Sequence, residues 1–352
     1  MKILVTGGAG FIGSAAVRAL VSRKDCSVLC VDKMTYAATL DSIESVMSND
    51  LFELEICDIS SEQRISKILR KFQPDKILHL AAETHVDRSI DSPEPFIRSN
   101  IVGTYVLLSE SLKYWETMGK ERSEFFRFHH VSTDEVFGDL ELDDPSFSET
   151  SSYDPSSPYS ASKASSDHLV RSWHRTYGLP VVLTNCSNNY GPYQFPEKLI
   201  PLAFSKALNG QKIPIYGKGD QIRDWLYVED HVDALITVLL KGQIGESYNI
   251  GGNCEKTNIE VVRTICRVLD KIVDRHPSGI KQFEDLITFV KDRPGHDKRY
   301  SINSEKIKEE LGWKPKENLN SGLEKTLSWY FKNQAWLSEI NKKQYDGSRI
   351  GL

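Results

Sequence analysis

Two pairs of side chains in this sequence have the types and spacing that acid–base chemistry requires. Tyr159 and Lys163, in the sequence YSASK, are spaced i,i+4 at the start of a predicted helix, which places both on one face. A free tyrosine titrates near pH 10, and a nearby ammonium lowers that pKa by favouring the phenolate. The pattern predicts a tyrosine base with an assisting cation, although by itself it also fits an exposed helix.

The second pair is Asp134 and Glu135, in the sequence VSTDEVFG. Two carboxyl groups that share one site can hold different protonation states, because repulsion and burial separate their pKa values. Consecutive residues of a strand point to opposite faces, so both reach one substrate only if the chain turns after the strand. Gly138 and the polar run 139–145 favour such a turn. The alternative is two solvated acids at a strand end.

Short apolar strands alternating with helical stretches surround these residues. Strands are predicted at 2–6, 27–31, 52–56, 76–80, 126–132, 180–184 and 246–250, and helices at 13–22, 62–72, 93–115, 157–177, 229–241, 255–275 and 303–334. This rhythm predicts an α/β fold of the Rossmann type, with a doubly wound, mostly parallel sheet. Prolines and glycines change the pattern after about residue 188. We expect an NAD-binding domain at 1–187 plus about 225–254, and a smaller interleaved substrate domain at 188–224 plus about 255–352.

A glycine-rich turn, GGAGFIG, lies between the first strand and the first helix, with glycines at 7, 10 and 13. Such a turn lets the backbone approach a pyrophosphate at the positive end of a helix. Asp32 ends the next strand about 20 residues on, where a carboxylate binds ribose hydroxyls and repels a 2′-phosphate. The pattern favours NAD over NADP, although Lys33 could soften that discrimination. Asp58 could bond the adenine, or be an ordinary strand-end carboxylate.

Composition excludes several other classes of function. The chain has 352 residues, 39% hydrophobic and 26% charged, with a net charge of −5, so there is no basic face for nucleic acid. No apolar run approaches the ~20 residues of a membrane span. The six cysteines lack metal-ligand spacing, and no histidine suggests a metal site. We expect a cytoplasmic protein with free thiols.

The motifs together resemble the extended short-chain dehydrogenase/reductase superfamily from residue 2 to about residue 330. In that superfamily a Ser/Thr and the Tyr/Lys pair assist hydride transfer between a sugar and NAD, and Thr133 and Tyr159 match those positions. The superfamily includes epimerases, decarboxylases, dehydratases and reductases. The Asp134–Glu135 pair is typical of dTDP-glucose 4,6-dehydratases and of the related UDP-glucose 4,6-dehydratases.

This resemblance implies a hydro-lyase of deoxysugar biosynthesis, as in the dTDP-rhamnose pathway. Oxidation at C4 would make the C5 proton acidic, Glu135 would remove it, and Asp134 would protonate the departing C6 hydroxyl. Hydride would return to C6, giving dTDP-4-dehydro-6-deoxyglucose and leaving NAD restored and bound. Thr133, Tyr159 and Lys163 complete the implied catalytic set.

Further motifs carry the same resemblance. Residues 79–89, HLAAETHVDRS, differ from the family pattern by Thr84 for Ser, and Ser99 replaces the usual Thr. Both substitutions keep the hydroxyl. The implied cofactor-binding residues are Gly7, Gly10, Phe11, Ile12, Gly13, Asp32, Lys33, Met34, Thr35, Asp58, Ile59, Leu80, Ala81, Ala82, Glu83, Thr84, Ser99, Tyr159, Lys163 and Asn189.

The second half of the chain matches at 187–201, 214–224, 258 and 292–296. Arginine suits bidentate phosphate binding, and a glycine-rich hairpin allows close approach to a ligand. The implied substrate-binding residues are Thr84, Thr133, Asn188, Lys198, Leu199, Pro214, Ile215, Tyr216, Arg223, Asn258, Asp292, Arg293, Pro294, Gly295, His296 and, more weakly, Tyr345.

Three questions stay open at this point. Thymine and uracil differ by one methyl group, worth about 1 kcal/mol in a pocket, so a UDP-sugar substrate is an alternative to dTDP-glucose. A catalytically silent NAD-binding sensor is a second alternative, but it would be expected to lose one of the catalytic residues. The apolar faces of the helices at 97–114 and 159–173 suggest a homodimer.

Overall fold

The structure is a computed structural model that describes residues 1–343. Its strands are β1 (Lys2–Thr6), β2 (Ser27–Asp32), β3 (Phe52–Ile56), β4 (Lys76–His79), β5 (Arg127–Thr133), β6 (Val181–Cys186), β7 (Asn188–Tyr190), β8 (Ile213–Tyr216), β9 (Ile222–Tyr227), β10 (Ser247–Ile250), β11 (Glu255–Thr257) and β12 (Ile287–Val290). Its α-helices are α1 (Phe11–Ser22), α2 (Glu62–Phe72), α3 (Val86–Asp91), α4 (Glu94–Phe96), α5 (Thr104–Glu116), α6 (Lys120–Phe125), α7 (Pro158–Tyr177), α8 (Leu199–Leu208), α9 (Val228–Lys241), α10 (Asn258–Ile272), α11 (Glu305–Leu311), α12 (Leu319–Lys332) and α13 (Gln334–Lys343).

The central sheet has seven strands in the order β10-β6-β5-β4-β1-β2-β3, and each neighbouring pair is parallel. This arrangement confirms the predicted doubly wound α/β fold. The strand order reverses between β1 and β4. In such sheets a ligand crevice opens at the carboxyl ends of the strands beside that reversal.

Continuous apolar strands form this sheet because both of its faces are covered. In β1, Ile3 and Val5 pack into a core with α1 and α9, whereas Leu4 packs into the opposite core with α2, α5 and α7. The alternation follows from the period of two along a strand. The sheet is therefore a rigid platform, and its strand ends position the residues that follow them.

A second core lies outside the central sheet. Buried side chains of α8, α10 and α12 pack there around β8 and β9. Strands β7 and β11 flank β9 in a three-stranded sheet, and β8 pairs with β12. The chain enters this region after β6 and returns to the central sheet at β10, which pairs with β6.

Two predicted helices in the second half of the chain differ from those observed. The stretch 303–334 forms two helices, α11 and α12. Gly312 ends α11 in the left-handed conformation with φ +71°. Pro315 follows three residues later, and a proline cannot continue a helix. The stretch 255–275 begins as strand β11. Its helix, α10, starts only after the Thr257 cap, whose side chain accepts a bond from the Glu260 backbone N–H.

Among residues 1–343, none of the helices combines the length and the apolar character needed to cross a bilayer.

Candidate active site

The turn between β1 and α1 is shaped by three glycines. Gly7 has φ +70°, and a Cβ there would lie 2.7 Å from the backbone of Ala81. A Cβ on Gly13 would overlap the carbonyl oxygen of Gly7. Gly10 differs, because its Cβ would meet only Gly7 O, at 3.4 Å. The fold itself would tolerate a side chain at position 10. The glycine there instead leaves room for a ligand that approaches the start of α1.

Asp32, at the end of β2, faces this turn. One carboxylate oxygen accepts the Ala9 N–H at 3.0 Å and the other accepts the Met34 N–H at 2.8 Å. Burial raises the pKa of Asp32, although these two bonds oppose it. The neighbouring Lys33 is engaged elsewhere: its ammonium bonds Ser99 Oγ at 2.6 Å and pairs with Glu83 at 3.3 Å.

The loop after β4 is fixed by Asn100. Its side-chain oxygen accepts the Glu83 N–H at 2.8 Å, and its amide nitrogen donates to Glu83 O at 3.0 Å and to Ser162 Oγ at 2.8 Å. Asn100 and Ser99 lie in a π-helical turn, Ile97–Gly103, a distortion that is frequent at functional sites. The turn interrupts the single helix predicted at 93–115. Asn100 bonds the loop after β4, and Ser99 accepts a bond from Lys33 after β2.

Helix α7 delivers Tyr159 and Lys163. Pro158 occupies its first turn, and Ser157 caps it by a reciprocal pair of bonds with Ser160, so the sequence fixes where the helix begins. Both predicted catalytic side chains are buried, Tyr159 at 7% and Lys163 at 5% exposure. The Lys163 ammonium donates to Val131 O on β5 at 2.9 Å. The helix start and the end of β5 thus meet at one point.

The acidic pair lies immediately after β5. The strand ends at Thr133, and Asp134–Val136 form a 3₁₀ turn capped by the Thr133 hydroxyl, which accepts the Glu135 N–H at 3.3 Å. The chain has therefore left the strand, as the sequence requires if both carboxyl groups are to serve one substrate. Asp134 and Glu135 line the same cleft as Thr133 and Tyr159.

The surroundings of the two carboxyl groups differ. Burial raises the pKa of Asp134 well above its ordinary value, and the charges of Glu135 and Asp224 raise it further. Within the described part of the chain, its Oδ2 has no hydrogen-bond partner. Burial also raises the pKa of Glu135, and the charge of Asp297 adds a little to that rise. Three cations oppose it, in decreasing order of effect: Arg293, Arg223 and Lys198. Asp134 is thus the group held as the acid, and Glu135 is the one that cations favour as carboxylate.

Tyr159 differs from its expected behaviour. Burial raises its pKa well above the ordinary value, the charges of Glu135 and Asp134 add to this, and a bond from Thr133 only partly opposes it. The sequence predicted that Lys163 would lower the pKa. That prediction is wrong for the protein alone, because burial and two neighbouring carboxyl groups raise the pKa of the tyrosine, while the ammonium is bonded to Val131 O.

One cleft of ≈ 290 Å³ connects these groups. The predicted site residues that line it are Gly7, Gly10, Phe11, Ile12, Gly13, Asp32, Lys33, Thr35, Ile59, Leu80, Ala81, Ala82, Thr84, Ser99, Thr133, Asp134, Glu135, Tyr159, Lys163, Asn188, Asn189 and Lys198. Met34, Asp58 and Glu83 are not among the lining residues. Met34 bonds the lining residue Asp32 and Glu83 pairs with the lining residue Lys33. Asp58 accepts the Ser60 N–H at 2.8 Å.

The remaining predicted substrate residues lie in a cluster beyond the lining of this cleft. Arg293 bonds Asp87 at 3.1 Å, and Tyr216 bonds the other oxygen of Asp87 at 3.0 Å. His296 bonds Asp292 at 2.6 Å. The charges of Arg293 and Arg223 lower the pKa of Glu135, so the cluster faces the acidic pair. Leu199 begins α8, Pro214 and Ile215 lie on β8, Asn258 begins α10, and Pro294 and Gly295 follow Arg293. Tyr345 lies outside the described residues.

Sequence reasoning missed several lining residues. Among them, Glu197 makes hydrogen bonds to two other side chains. Its carboxylate accepts bonds from Tyr36 at 3.1 Å and from Arg88 at 3.0 Å, and its side chain is only 2% exposed. The neighbouring Lys198 donates to Thr84 O at 3.2 Å. The signal available in the sequence was the position of Glu197 within the motif 187–201, which was already assigned to ligand binding. The other unpredicted lining residues are Val31, Ala37, Ala38, Cys57, Val131, Ser132, Cys186, Ser187, Gln194 and Phe195.

Within residues 1–343, no group of His, Cys, Asp and Glu side chains has the arrangement of a metal site.

Comparison with known proteins places this geometry in a family. Residues 4–326 match the family model described as GDP-mannose 4,6 dehydratase. A dTDP-glucose 4,6-dehydratase from Escherichia coli is 56% identical, over 100% of this chain and 99% of the relative. The dTDP-glucose 4,6-dehydratase of Bacillus anthracis, solved in complex with NAD, has 41% identity and a TM-score of 0.85, over 97% of this chain and 99% of its own. That of Streptomyces venezuelae, with NAD and dTDP bound, has 39% identity and a TM-score of 0.87, over 97% and 100%.

Proposed function

This chain belongs to the GDP-mannose 4,6-dehydratase family and acts as an NAD-dependent dTDP-glucose 4,6-dehydratase, and we propose that Asp134 is its general acid and Glu135 its general base. The observation that carries this division is the unequal surroundings of the two carboxyl groups. Asp134 is buried beside two other acids and one cation, whereas three cations and one acid surround Glu135.

The residues of the turn after β1 fit NAD. The side-chain-free position at Gly10 lies at the start of α1, and the Asp32 carboxylate faces the same turn. When bound, NAD supplies a positively charged ring that accepts the C4 hydride of the sugar and returns it at C6. Lys33, Thr35, Ala81, Ala82 and Ser99 would hold it along the lining of the cleft.

The reaction follows from where each proton lies. Tyr159 first releases its proton to solvent, and the neighbouring Thr133 hydroxyl favours the resulting phenolate. The phenolate then takes the proton of the C4 hydroxyl. The C4 ketone makes the C5 proton acidic, and Glu135 accepts it. Asp134 gives its proton to the departing C6 hydroxyl, so water leaves and a C5–C6 double bond forms. Glu135 then returns its proton to C5, and C6 receives the hydride that NAD would supply when bound. The proton taken from the C4 hydroxyl restores the acid form of Asp134, and the product is dTDP-4-dehydro-6-deoxyglucose.

The substrate would extend from this centre toward the second core. Lys198, Arg223 and Arg293 are the cations near Glu135, and a diphosphate needs such donors. We place the base of the nucleotide against Pro214, Ile215 and Tyr216 on β8. Asn188 and Thr84 line the cleft between the two groups and would contact the sugar.

The test is turnover of purified protein with dTDP-glucose and, in a parallel assay, UDP-glucose, following the keto-sugar product. We expect dTDP-glucose to be consumed with loss of one water and no net change in cofactor. Turnover of UDP-glucose alone would move the assignment to the UDP-sugar dehydratases. A C4-epimerised sugar with no loss of water would remove the acid and base roles from Asp134 and Glu135.

We further propose the domain division 1–187 plus about 225–254, against 188–224 plus about 255–352. The return of the chain to the central sheet at β10 and the separate core around α8, α10 and α12 support it.

A homodimer through α5 and α7 is also proposed. Apolar side chains are exposed on this helix pair and on the adjoining π-helical turn: Ile97 at 45%, Val102 at 42%, Tyr105 at 49% and Tyr177 at 52%. A patch of this kind is typical of an interface. Sedimentation would show a dimer, and Tyr105→Glu should yield monomers.

We also propose a cytoplasmic location, with which six free cysteines are consistent.

A further inference from the structure

A buried carboxylate that the reaction does not use lies behind the catalytic lysine. Asp167 follows Lys163 at i,i+4 spacing on α7, just as Lys163 follows Tyr159, so the three side chains share one helix face. Its exposure is 0%. An ionised carboxylate at such a position is costly unless it is paired and hydrogen-bonded.

Neutral donors surround this carboxylate. His130 Nε2 lies 3.0 Å from Oδ1, while Oδ2 accepts the Tyr153 hydroxyl at 2.9 Å and the Asn185 amide at 3.4 Å. Burial lowers the pKa of His130 to about 4, so the ring is neutral and carries its hydrogen on Nε2. Burial alone would raise the pKa of Asp167, but the bond from His130, the electrostatic interaction with that ring, the charge of Lys163 and a bond from Ser132 bring it below the ordinary value. The donors therefore hold Asp167 as an anion.

The lysine has few charged neighbours. Within the described chain, no carboxylate lies within ion-pair distance of its ammonium, which donates to Val131 O at 2.9 Å. Burial lowers the pKa of Lys163, and Asp167 is the largest influence that opposes this. His130 on β5 and His79 on β4 are neutral because their pKa values are lowered, and burial keeps Cys186 on β6 as a thiol. Asp167 thus supplies the negative charge near this cation.

The same carboxylate ties α7 to the strand that carries the acidic pair. Asn185 on β6 donates both to Asp167 and, at 3.0 Å, to the carbonyl oxygen of Thr133. Thr133 in turn caps the turn that holds Asp134 and Glu135. The helix with Tyr159 and Lys163 is thereby fixed against the turn that performs the elimination.

We infer that Asp167 is a positioning residue that acts as the buried counter-charge of Lys163, keeping it an ammonium, and that aligns α7 with the end of β5. This inference rests on the proposed function, because Lys163 assists Tyr159 in the oxidation at C4. Asp167 touches neither the substrate nor the cofactor, since it is not among the residues that line the cleft.

The first test is the pH profile of Asp167→Asn with dTDP-glucose. Loss of the negative charge lets Lys163 lose its proton at lower pH, so the alkaline limb of kcat should move down by about one pH unit or more. The KM for the sugar should stay near the wild-type value. Ser166→Ala is the matched control, because Ser166 is equally buried in α7 and contacts His130 at 3.3 Å without carrying a charge. An unshifted alkaline limb in a folded, active Asp167→Asn protein would overturn the inference.

A second test does not depend on activity and so stands apart from the dehydratase assignment. Thermal melting is compared for Asp167→Asn, Lys163→Met and the double variant. Removing one partner leaves a buried charge uncompensated, whereas removing both removes that cost, so the double variant should melt higher than the sum of the two losses predicts. If Asp167→Asn does not fold, recovery of a folded protein by adding Lys163→Met supports the inference. Additive losses, or a double variant that fails to fold while Lys163→Met folds, contradict it.

Discussion

The cofactor end of the active-site cleft and its substrate end, which comprises the cluster beyond the lining of the cleft, are built in different ways. Around the turn after β1, backbone atoms pack so closely that a Cβ on Gly7 would lie 2.7 Å from Ala81. At the substrate end, side chains from distant segments are held by polar bonds, with Asp87 binding both Arg293 and Tyr216. The cofactor end is therefore shaped by backbone geometry, and the substrate end by side-chain contacts that single substitutions can remove one at a time.

The largest effect is expected where the two ends meet. Glu135→Gln keeps the shape of the side chain but removes the base, so kcat should fall by about 10³-fold or more while NAD remains bound. Product formation and the retained cofactor are measured on the same protein. Glu141→Gln serves as the control, because Glu141 is 68% exposed and its carboxylate pairs with Lys298 on the surface. Wild-type turnover in Glu135→Gln would remove the proposed base.

The backbone-built end can be tested with two alanine substitutions. Gly13→Ala forces a Cβ into Gly7 O and should lower the free energy of unfolding by roughly 1–3 kcal/mol. Gly10→Ala should keep the melting temperature but lose bound NAD, because its Cβ occupies only the approach to α1. Gly119→Ala, with no atom within 4 Å of the new Cβ, controls for the substitution itself. Equal losses of stability in Gly10→Ala and Gly13→Ala would contradict the claim that only Gly13 is required by the fold itself.

The central sheet should be sensitive to acid through its buried histidines. Burial lowers the pKa of His129 to about 3 and of His130 to about 4, whereas both titrate near 6.5 once unfolded. The unfolded chain then binds protons that the folded chain excludes, so stability present above pH 6.5 should be lost as the pH falls from about 6.5 toward 4. Melting temperatures across that range test this. His129→Asn and His130→Asn should flatten the dependence, and an unchanged slope would contradict it.

The smallest expected effect lies at the substrate end. Asp87→Asn weakens the hold on Arg293 and Tyr216, so the KM for dTDP-glucose should rise about tenfold, equivalent to roughly 1.4 kcal/mol, with kcat nearly unchanged. Steady-state kinetics give both constants. Glu94→Gln, an exposed acid at the start of α4, is the control. A fall in kcat without a change in KM would place Asp87 in the chemistry rather than in binding.

Much of the fold was accessible from local sequence signals. The strand and helix periodicities gave the central sheet, and Ser157, Pro158 and Gly178 mark the limits of α7. The long helix predicted at 303–334 was wrong because Gly312 and Pro315 end one helix before another begins. The apolar pattern on both sides of that break has helical spacing, so periodicity alone did not detect the interruption.

The sequence by itself determined the chemical groups: the glycine turn, the Tyr159/Lys163 spacing, and an acidic pair that needs a turn after its strand. Only the tertiary structure decided how those groups are charged. The cations that face Glu135 come from residues 198, 223 and 293, and the counter-charge behind Lys163 depends on donors from β5, β6 and the segment before α7. The physical reason is that a pKa responds to burial and to charges near in space, and a linear sequence specifies neither.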